Sequence, residues 1–297
     1  MLVNGNESVI VQGLTGGQGT FWSARMKACG TNIVAGSSPG KGGRRVDGVP
    51  VYNSACEAAR DHKLDVSVLF VPPMAAAGAT LDAIHAGVRK IVLLTEHVPY
   101  QDTMRILAEA VDAGAQVLGP NTAGLVVPGE SAVGIMPGLA ANIFQPGNVG
   151  VLSRSGSLGT LVCLNLVADG YGQSAFIGIG GDPILGTTTL DALRTLDQDP
   201  QTEAVVLVGE IGGVMEEEAA DYVAEMSKPV VAFIAGRSAP PNTRMGHAGA
   251  IITGTRGSGE SKASALTAAG AHVVDLPSQI GSVLDELGVR SNVVGAA

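Results

Sequence analysis

Val9-Ile10-Val11-Gln12-Gly13-Leu14-Thr15-Gly16-Gly17-Gln18-Gly19-Thr20 passes from an apolar, β-branched run into four glycines within seven residues. The run favours a buried strand, and a helical pattern follows over residues 18–29. Between them the glycines permit a tight turn and close backbone approach. A strand that opens a helix through such a turn offers N–H groups and a positive helix end to a phosphate. The spacing is GxxGxxG, not the GxGxxG of dinucleotide enzymes. A close-packed strand–helix turn without a ligand is the alternative reading.

The same rhythm runs outward from this turn. Strands are expected at Ser8–Gln12, Asn32–Ala35, Val66–Val71, Lys90–Leu94 and Gln116–Leu118. Helices are expected near Gln18–Cys29, Ser54–His62, Met74–Ala86 and Gln101–Ala113. Strands alternating with helices predict a parallel sheet covered on both faces, and the nearly all-apolar strands fit that burial. Residues 119–148 break the rhythm with GPNTAG, VVPGE, IMPG and QPGN. They read as an ordered interdomain connection. The pattern then restarts with strands at Val149–Leu152, Ser174–Ile177, Ala204–Val208, Val230–Ile234 and His272–Val274. Helices follow at Leu158–Ala168, Thr188–Leu196, Glu216–Met226, Ser261–Ala268 and Ser278–Leu287. The expected fold class is α/β, with two tandem doubly wound domains at 1–122 and 148–297 joined by a segment at 123–147. No short repeat is visible, which argues against a solenoid.

Composition narrows the function. The chain has 297 residues, enough for two cores, and 45% hydrophobic residues, which excludes wholesale disorder. Its net charge of −9 and 3% aromatics argue against a nucleic-acid binder. The 42 glycines follow no collagen period and cluster where strands would end. Three scattered cysteines (Cys29, Cys56, Cys163) suggest a reduced compartment. Met1–Gly13 has no basic segment, apolar run and cleavage site, and no membrane span is expected. The localisation these features point to is cytoplasmic.

Four further stretches bear chemistry. After the second strand, Ser37-Ser38-Pro39-Gly40-Lys41-Gly42-Gly43-Arg44-Arg45 has three cations where an NAD enzyme wants an acid. That suits the phosphorylated ribose of coenzyme A or NADP; a solvated basic loop is the alternative. Val151-Leu152-Ser153-Arg154-Ser155-Gly156-Ser157-Leu158 again joins strand to helix, with hydroxyls able to hold an anion. A serine nucleophile competes poorly, because GxSxG is not matched. Glu210 ends the apolar run Val206-Leu207-Val208-Gly209, at the sheet edge where ligands bind. It could accept a hydrogen bond from a histidine Nδ1–H and orient Nε2 for attack. His247 lies among small residues in Arg244-Met245-Gly246-His247-Ala248-Gly249, a loop that could bring the imidazole close to backbone or a phosphate without steric bulk. A structural histidine and an exposed loop acid are the bland readings of that pair. Glu216-Glu217-Glu218 reads as a first helical turn rather than a metal site, and no metal ligand is expected.

Taken together, QGLTGGQGT, SSPGKGG, LLTEHVP, GPNTAG, SRSGSL, GIGGDPI, DPQTEAVVLVGEIGG and RMGHAGAII resemble the α subunit of succinyl-CoA synthetase, in order and spacing. The likeness covers nearly the whole chain. It implies an N-terminal Rossmann-like CoA-binding domain and a C-terminal flavodoxin-like ligase domain. It implies a nucleotide-diphosphate-forming acid–CoA ligase in which ATP or GTP phosphorylates His247 and Glu210 orients the imidazole. The phosphoryl group then passes to a carboxylic acid, and CoA sulfur attacks the acyl phosphate. By the same resemblance Thr15, Gly16, Gly17, Gln18, Lys41, Leu94, Thr95 and Glu96 contact coenzyme A. Ser153, Ser155, Gly156 and Ser157 cradle the phosphate. The nucleotide and its Mg²⁺ belong mainly to a separate ATP-grasp β subunit, and an α2β2 assembly is a further expectation.

Departures from the family pattern concern the acid. SRSGSLGTL puts Thr160 where tyrosine is usual in the substrate pocket, and Leu161 where glutamate is usual. Thr122 and Ala123 replace the usual Cys-Pro. Succinate is therefore the default, with malate or another dicarboxylate as an option suggested by IMPG and Gly159. Two competing functions stay open on the residues alone. One is an NADP-dependent oxidoreductase using Lys41, Arg44 and Arg45, although nothing in the second half points to hydride transfer. The other is a noncatalytic CoA-binding protein, against which His247 and Glu210 argue.

Overall fold

The computed structural model describes residues 1–237, 246–252, 256–291 and 293. The chain packs as two α/β units. The first comprises Met1, Val3–Leu139 and the return segment Ile184–Thr187; the second comprises Leu2, Ala140–Pro183 and Thr188–Ala297.

The first unit contains β1 (Val9–Gln12), α1 (Gly17–Ala28), β2 (Ile33–Ser37), β3 (Arg45–Val46), β4 (Val49–Tyr52), α2 (Ala55–Ala58) and β5 (Val66–Leu69). These are followed by α3 (Pro73–His85), β6 (Lys90–Leu93), α4 (Tyr100–Ala113), β7 (Gln116–Leu118), β8 (Gly124–Val127) and β9 (Ser131–Gly134). Its sheet runs β3-β4-β2-β1-β5-β6-β7. All its pairings are parallel except β3 with β4. From β4 to β7 this is the Rossmann order, with its reversal between β1 and β5, where ligands bind beyond the strand ends. The strands bury Ile10, Leu69, Ile91 and Leu93 against Leu81, Ile84, Ile106 and Ala110 of the helices. Each such leucine or isoleucine contributes about 1.5–3 kcal/mol on burial.

Local chemistry explains the elements and the differences from expectation. Gly13 has φ +82°, and a Cβ there would lie 2.2 Å from Phe70 O. A Cβ on Gly19 would lie 2.3 Å from Gly13 O. Two of the four glycines are thus required by packing alone. The helix expected over 54–62 is shorter, at Ala55–Ala58, because the charged run from Arg60 to Lys63 offers no apolar stripe. The hairpin β3–β4 was not anticipated; it turns on Asp47 and Gly48, both at positive φ, the pairing favoured in tight hairpins. Residues 123–147, expected as a connection, carry the hairpin β8–β9. Gly124 and Gly134 face each other there, and a Cβ on Gly124 would lie 2.0 Å from Val133 O. Thr31 Oγ1 donates to Ala132 O and Ser131 Oγ to Val3 O, tying the hairpin into the first unit.

The second unit contains β10 (Pro146–Ser153), α5 (Gly156–Ala168), β11 (Gln173–Gly178), α6 (Thr189–Gln198) and β12 (Ala204–Glu210). Then come α7 (Met215–Glu225), β13 (Val230–Ala235), α8 (Gly259–Ala268), β14 (His272–Val274) and α9 (Ile280–Glu286). These strands lie in the order β14-β13-β12-β10-β11, all parallel. That is the flavodoxin-like order, with its reversal between β10 and β12. Ser155 caps α5 by accepting from Leu158 N, and Thr188 with Asp191 forms a capping box on α6.

Candidate functional site

Two constellations occupy the two strand-order reversals, one in each unit. In the first unit a cavity of ≈ 510 Å³ opens beyond the ends of β1 and β5. Thr15, Gly16 and Lys41 line it, with Ser38, Asn53 and Asp82. An adjoining cleft of ≈ 490 Å³ is lined by Gly16, Gly17, Gln18, Leu94 and Thr95. Seven of the eight residues expected to contact CoA therefore converge on two clefts that share Gly16, Phe70, Val71 and Pro72. Glu96 is the exception; it is exposed, 4.0 Å from His97 Nε2.

The geometry suits a phosphorylated, partly apolar ligand. Lys41 Nζ donates to Thr15 Oγ1 at 3.1 Å, and Thr15 Oγ1 donates to Ser38 Oγ at 2.9 Å. A cation is thereby held over the glycine turn. Asn53 Oδ1 accepts from Gly40 N and Gly42 N, which fixes the loop that carries Lys41. No side chain caps α1 at Gly16, and a Cβ on Gly17 would meet only open space. An uncapped helix N-terminus facing free volume fits a phosphate-bearing ligand. Arg45 instead donates to Gly48 O, so it serves the β3–β4 turn.

In the second unit Glu210 is the last residue of β12. Its Oε2 lies 2.7 Å from His247 Nδ1. An ionised carboxylate only accepts, so Nδ1 carries the proton and, in the neutral ring, Nε2 keeps the lone pair. The imidazole lies against backbone: a Cβ on Gly181 would stand 2.5 Å from His247 Cγ. Arg244 and Met245 of the histidine motif lie outside the described residues.

Ser153 ends β10, and its Oγ accepts from Ser155 N at 3.2 Å while donating to Ser155 O at 2.7 Å. Ser155 Oγ and Ser157 Oγ are 3.3 Å apart at the start of α5, beside Gly156. Hydroxyls and a helix N-terminus are thus gathered in one turn. Ser153 pairs in register with Val208 of β12, two residues before Glu210, so this turn and Glu210 emerge from neighbouring strands. Thr160 Oγ1 donates to Gly156 O at 2.8 Å, inside α5, and Leu161 is exposed.

Three residues around this pair carried no role in the sequence reading. Arg154 Nη2 lies 3.4 Å from Glu210 Oε1, and both side chains are buried. Lys262, fully buried, donates to Glu210 O and Gly212 O at 2.8 Å each and pairs with Glu216. Glu216 stands in the first turn of α7 as expected, yet it is enclosed and also accepts from Glu210 N. Arg154 was visible as a base directly after an apolar strand. Lys262 had no signal, since a lysine in a helical pattern reads as solvent-facing. Among the described residues no group of acids, histidines and cysteines could hold a metal.

Both units match families of known proteins. A CoA binding domain matches residues 4–97 and a CoA-ligase domain matches residues 152–272. Succinate–CoA ligase [ADP-forming] subunit alpha 2 of Archaeoglobus fulgidus is 50% identical over 287 residues, 97% of this chain and 99% of that protein. The chain belongs to the succinate–CoA ligase α-subunit family. A relative from Methanothermobacter thermautotrophicus, named for the same subunit, is 48% identical across 98% of both chains. A subunit of ADP-forming sulfoacetate–CoA ligase from Acholeplasma sp is 43% identical over 98% of this chain and 99% of its own. Within this family the chain is an acid–CoA ligase α subunit, and its CoA-binding domain is the unit that holds the two clefts. The relatives' subunit names imply a partner subunit. They lend no support to the oxidoreductase or noncatalytic readings.

The fold is shared more widely. ATP citrate lyase from Methanothrix soehngenii, in complex with citrate and coenzyme A, superposes with a TM-score of 0.88 at 24% identity. The match covers 100% of this chain and 53% of that one. No helix among the described residues is long and apolar enough to cross a membrane.

Proposed function

We propose that this chain is the phosphoryl-carrying subunit of a nucleoside-diphosphate-forming acid–CoA ligase, with His247 as the phosphorylated residue and succinate as the default acid. The observation that carries the reading is the 2.7 Å contact between His247 Nδ1 and Glu210 Oε2. With Nδ1 occupied, Nε2 attacks the terminal phosphorus of ATP or GTP, and the nucleoside diphosphate leaves. Glu210 balances the charge that develops on the ring. Ser153, Ser155, Gly156 and Ser157 offer the phosphoryl oxygens hydroxyls and the positive end of α5. The carboxylate of the acid then takes the phosphoryl group from Nε2, and CoA sulfur displaces phosphate from the acyl carbon. Thr15, Gly16, Gly17, Gln18, Lys41, Leu94, Thr95 and Glu96 form the CoA surface in this reading. Thr160 contributes to the acid pocket.

Nucleotide and Mg²⁺ reside mainly on an ATP-grasp β subunit, in an αβ or α2β2 assembly within the cytoplasm. The acid is a small carboxylate bearing a second anionic group, the feature shared by succinate, malate and the sulfoacetate of one named relative.

The test is to purify the chain from its native cells with its partner and add Mg-ATP or Mg-GTP. His247 is then examined for phosphate by mass spectrometry at alkaline pH. Phosphate on His247 that is discharged by succinate, malate or sulfoacetate together with CoA is expected. A nucleotide-competent complex that leaves His247 unmodified would overturn the proposal.

A further inference from the structure

Three segments of the second unit close on the guanidinium of Arg154. Its own turn, between β10 and α5, is anchored by Arg154 N donating to Val208 O at 3.2 Å. The segment after β12 meets it twice: Nη1 donates to Gly212 O at 3.1 Å, and Nη2 lies 3.4 Å from Glu210 Oε1. The His247 segment meets it as well, since a Cβ on Gly249 would stand 2.8 Å from Nη2. Gly249 N in turn donates to Gly181 O at 3.0 Å, and Gly181 packs on the imidazole ring. Arg154 is 3% exposed, so solvent does not replace these contacts.

We infer that Arg154 is a positioning residue, which acts through Glu210 to hold His247 in the tautomer that presents Nε2. A carboxylate on a flexible glutamate stem can rotate and offer either oxygen, or move away from the ring altogether. Here one oxygen faces Arg154 and the other faces Nδ1, so the carboxylate cannot swing away from the ring without giving up its contact with Arg154 as well. The guanidinium is itself fixed by Gly212 O, and its planar fork allows both contacts at once. Lysine carries its donors on one nitrogen and lacks the rigid two-nitrogen fork that here reaches Gly212 O and Glu210 from Nη1 and Nη2. Arg154 also shares its backbone with Ser153 and Ser155. It therefore fixes the hydroxyl turn in register with the His–Glu pair, through one side chain and its own main chain. Arg154 touches no reacting atom in this scheme.

The effect on rate rests on the phosphohistidine proposal, whereas the effect on the imidazole does not, and the test separates them. The full chain is labelled with ¹⁵N-histidine, and long-range ¹H–¹⁵N spectra assign the ring proton of His247 in the wild type, Arg154→Gln and Arg154→Lys. The neutral wild-type ring is expected in the single Nδ1–H form, and Arg154→Gln in a mixture of tautomers. In the complex with its partner, phosphorylation of Arg154→Gln is expected to slow by about 10- to 100-fold, as for loss of an outer-shell orienting contact. Arg154→Lys should recover only part of the rate. CoA binding by either variant should stay at the wild-type level. A retained Nδ1–H tautomer in Arg154→Gln, or complete rescue by lysine, would overturn the inference. If the glutamine variant does not fold, the lysine variant alone decides, by a full or a partial rate. An unphosphorylated wild type would count against the proposed function only, and the tautomer comparison would still judge Arg154.

Discussion

Adding one methyl group at Gly181 tests the active geometry with little other disturbance. Gly181 does not have the positive φ that would strain alanine, so the backbone accepts the change. The new Cβ would stand 2.5 Å from His247 Cγ, 2.7 Å from Nδ1 and 2.9 Å from Cδ2. Carbon atoms pack at about 3.5–4.0 Å, so the imidazole must retreat by about 1 Å. The Nδ1–Glu210 contact is now 2.7 Å. A retreat of that size carries it to the limit at which a hydrogen bond ceases to exist, near 3.6 Å. A hydrogen bond to a charged group contributes about 1.5–3 kcal/mol, which corresponds to roughly 10- to 10²-fold in rate at about 1.36 kcal/mol per decade. The assay is single-turnover phosphorylation of His247 by Mg-ATP in the complex with its partner. CoA affinity and the unfolding midpoint are measured alongside. Slow phosphorylation with unchanged CoA affinity and an intact fold is the expected result. A Gly181→Ala protein that phosphorylates at the wild-type rate would refute the claim that the ring must sit where the structure puts it.

Other consequences can be checked independently. Lys41→Ala should raise KM for CoA by about tenfold, the value of one charge-assisted hydrogen bond, with kcat little changed; steady-state kinetics with varied CoA would show a parallel fall in kcat if this is wrong. Gly17→Val places its side chain in the open cleft and should abolish CoA binding by calorimetry while the unfolding midpoint holds. Lys262→Met leaves Glu216 buried without its counter-charge and should cost about 3–5 kcal/mol in urea unfolding. Adding Glu216→Gln should restore part of that loss; a single variant as stable as the wild type would contradict the buried pair. Burial, and then the hydrogen bond from Tyr171 Oη to Asp285 at 2.5 Å, raise the Tyr171 pKa above its ordinary 10.0. A raised folded pKa means that this stabilisation is complete below pH 10 and is lost as pH climbs through the folded value. Urea midpoints of the wild type should therefore fall above pH 10.0, and more steeply than those of Tyr171→Phe.

The elements readable in the chain were those whose information is local. Val9–Gln12 followed by glycines, and Ala204–Val208 followed by Gly209-Glu210, carry strand and turn chemistry within a few residues. Their strands appear with ends shifted by a residue or two. The hairpin β8–β9 was hidden because Gly124 and Gly134, which its close backbone approach demands, are the residues that signal a loop. The tight Asp47-Gly48 turn was a legible signal that went unread. Lys262 and Glu216 illustrate the other limit. Both have the composition of a solvated helix face, and only their meeting across 46 residues makes them a buried pair.

By itself the sequence determined that this protein is two α/β units, where their glycine turns fall, and which side chains could serve chemistry. Those properties follow from periodicity and turn propensity, which each segment expresses without reference to distant ones. Only the tertiary structure decided which strands lie side by side. The order β4-β2-β1-β5 sets the Gly13 turn beside Phe70, and β12-β10-β11 sets Arg154 beside Glu210. The His247–Glu210 contact closes across 37 residues. Strand adjacency is chosen by the burial of whole faces and the packing of helices over them, a collective free energy that no local window of residues contains.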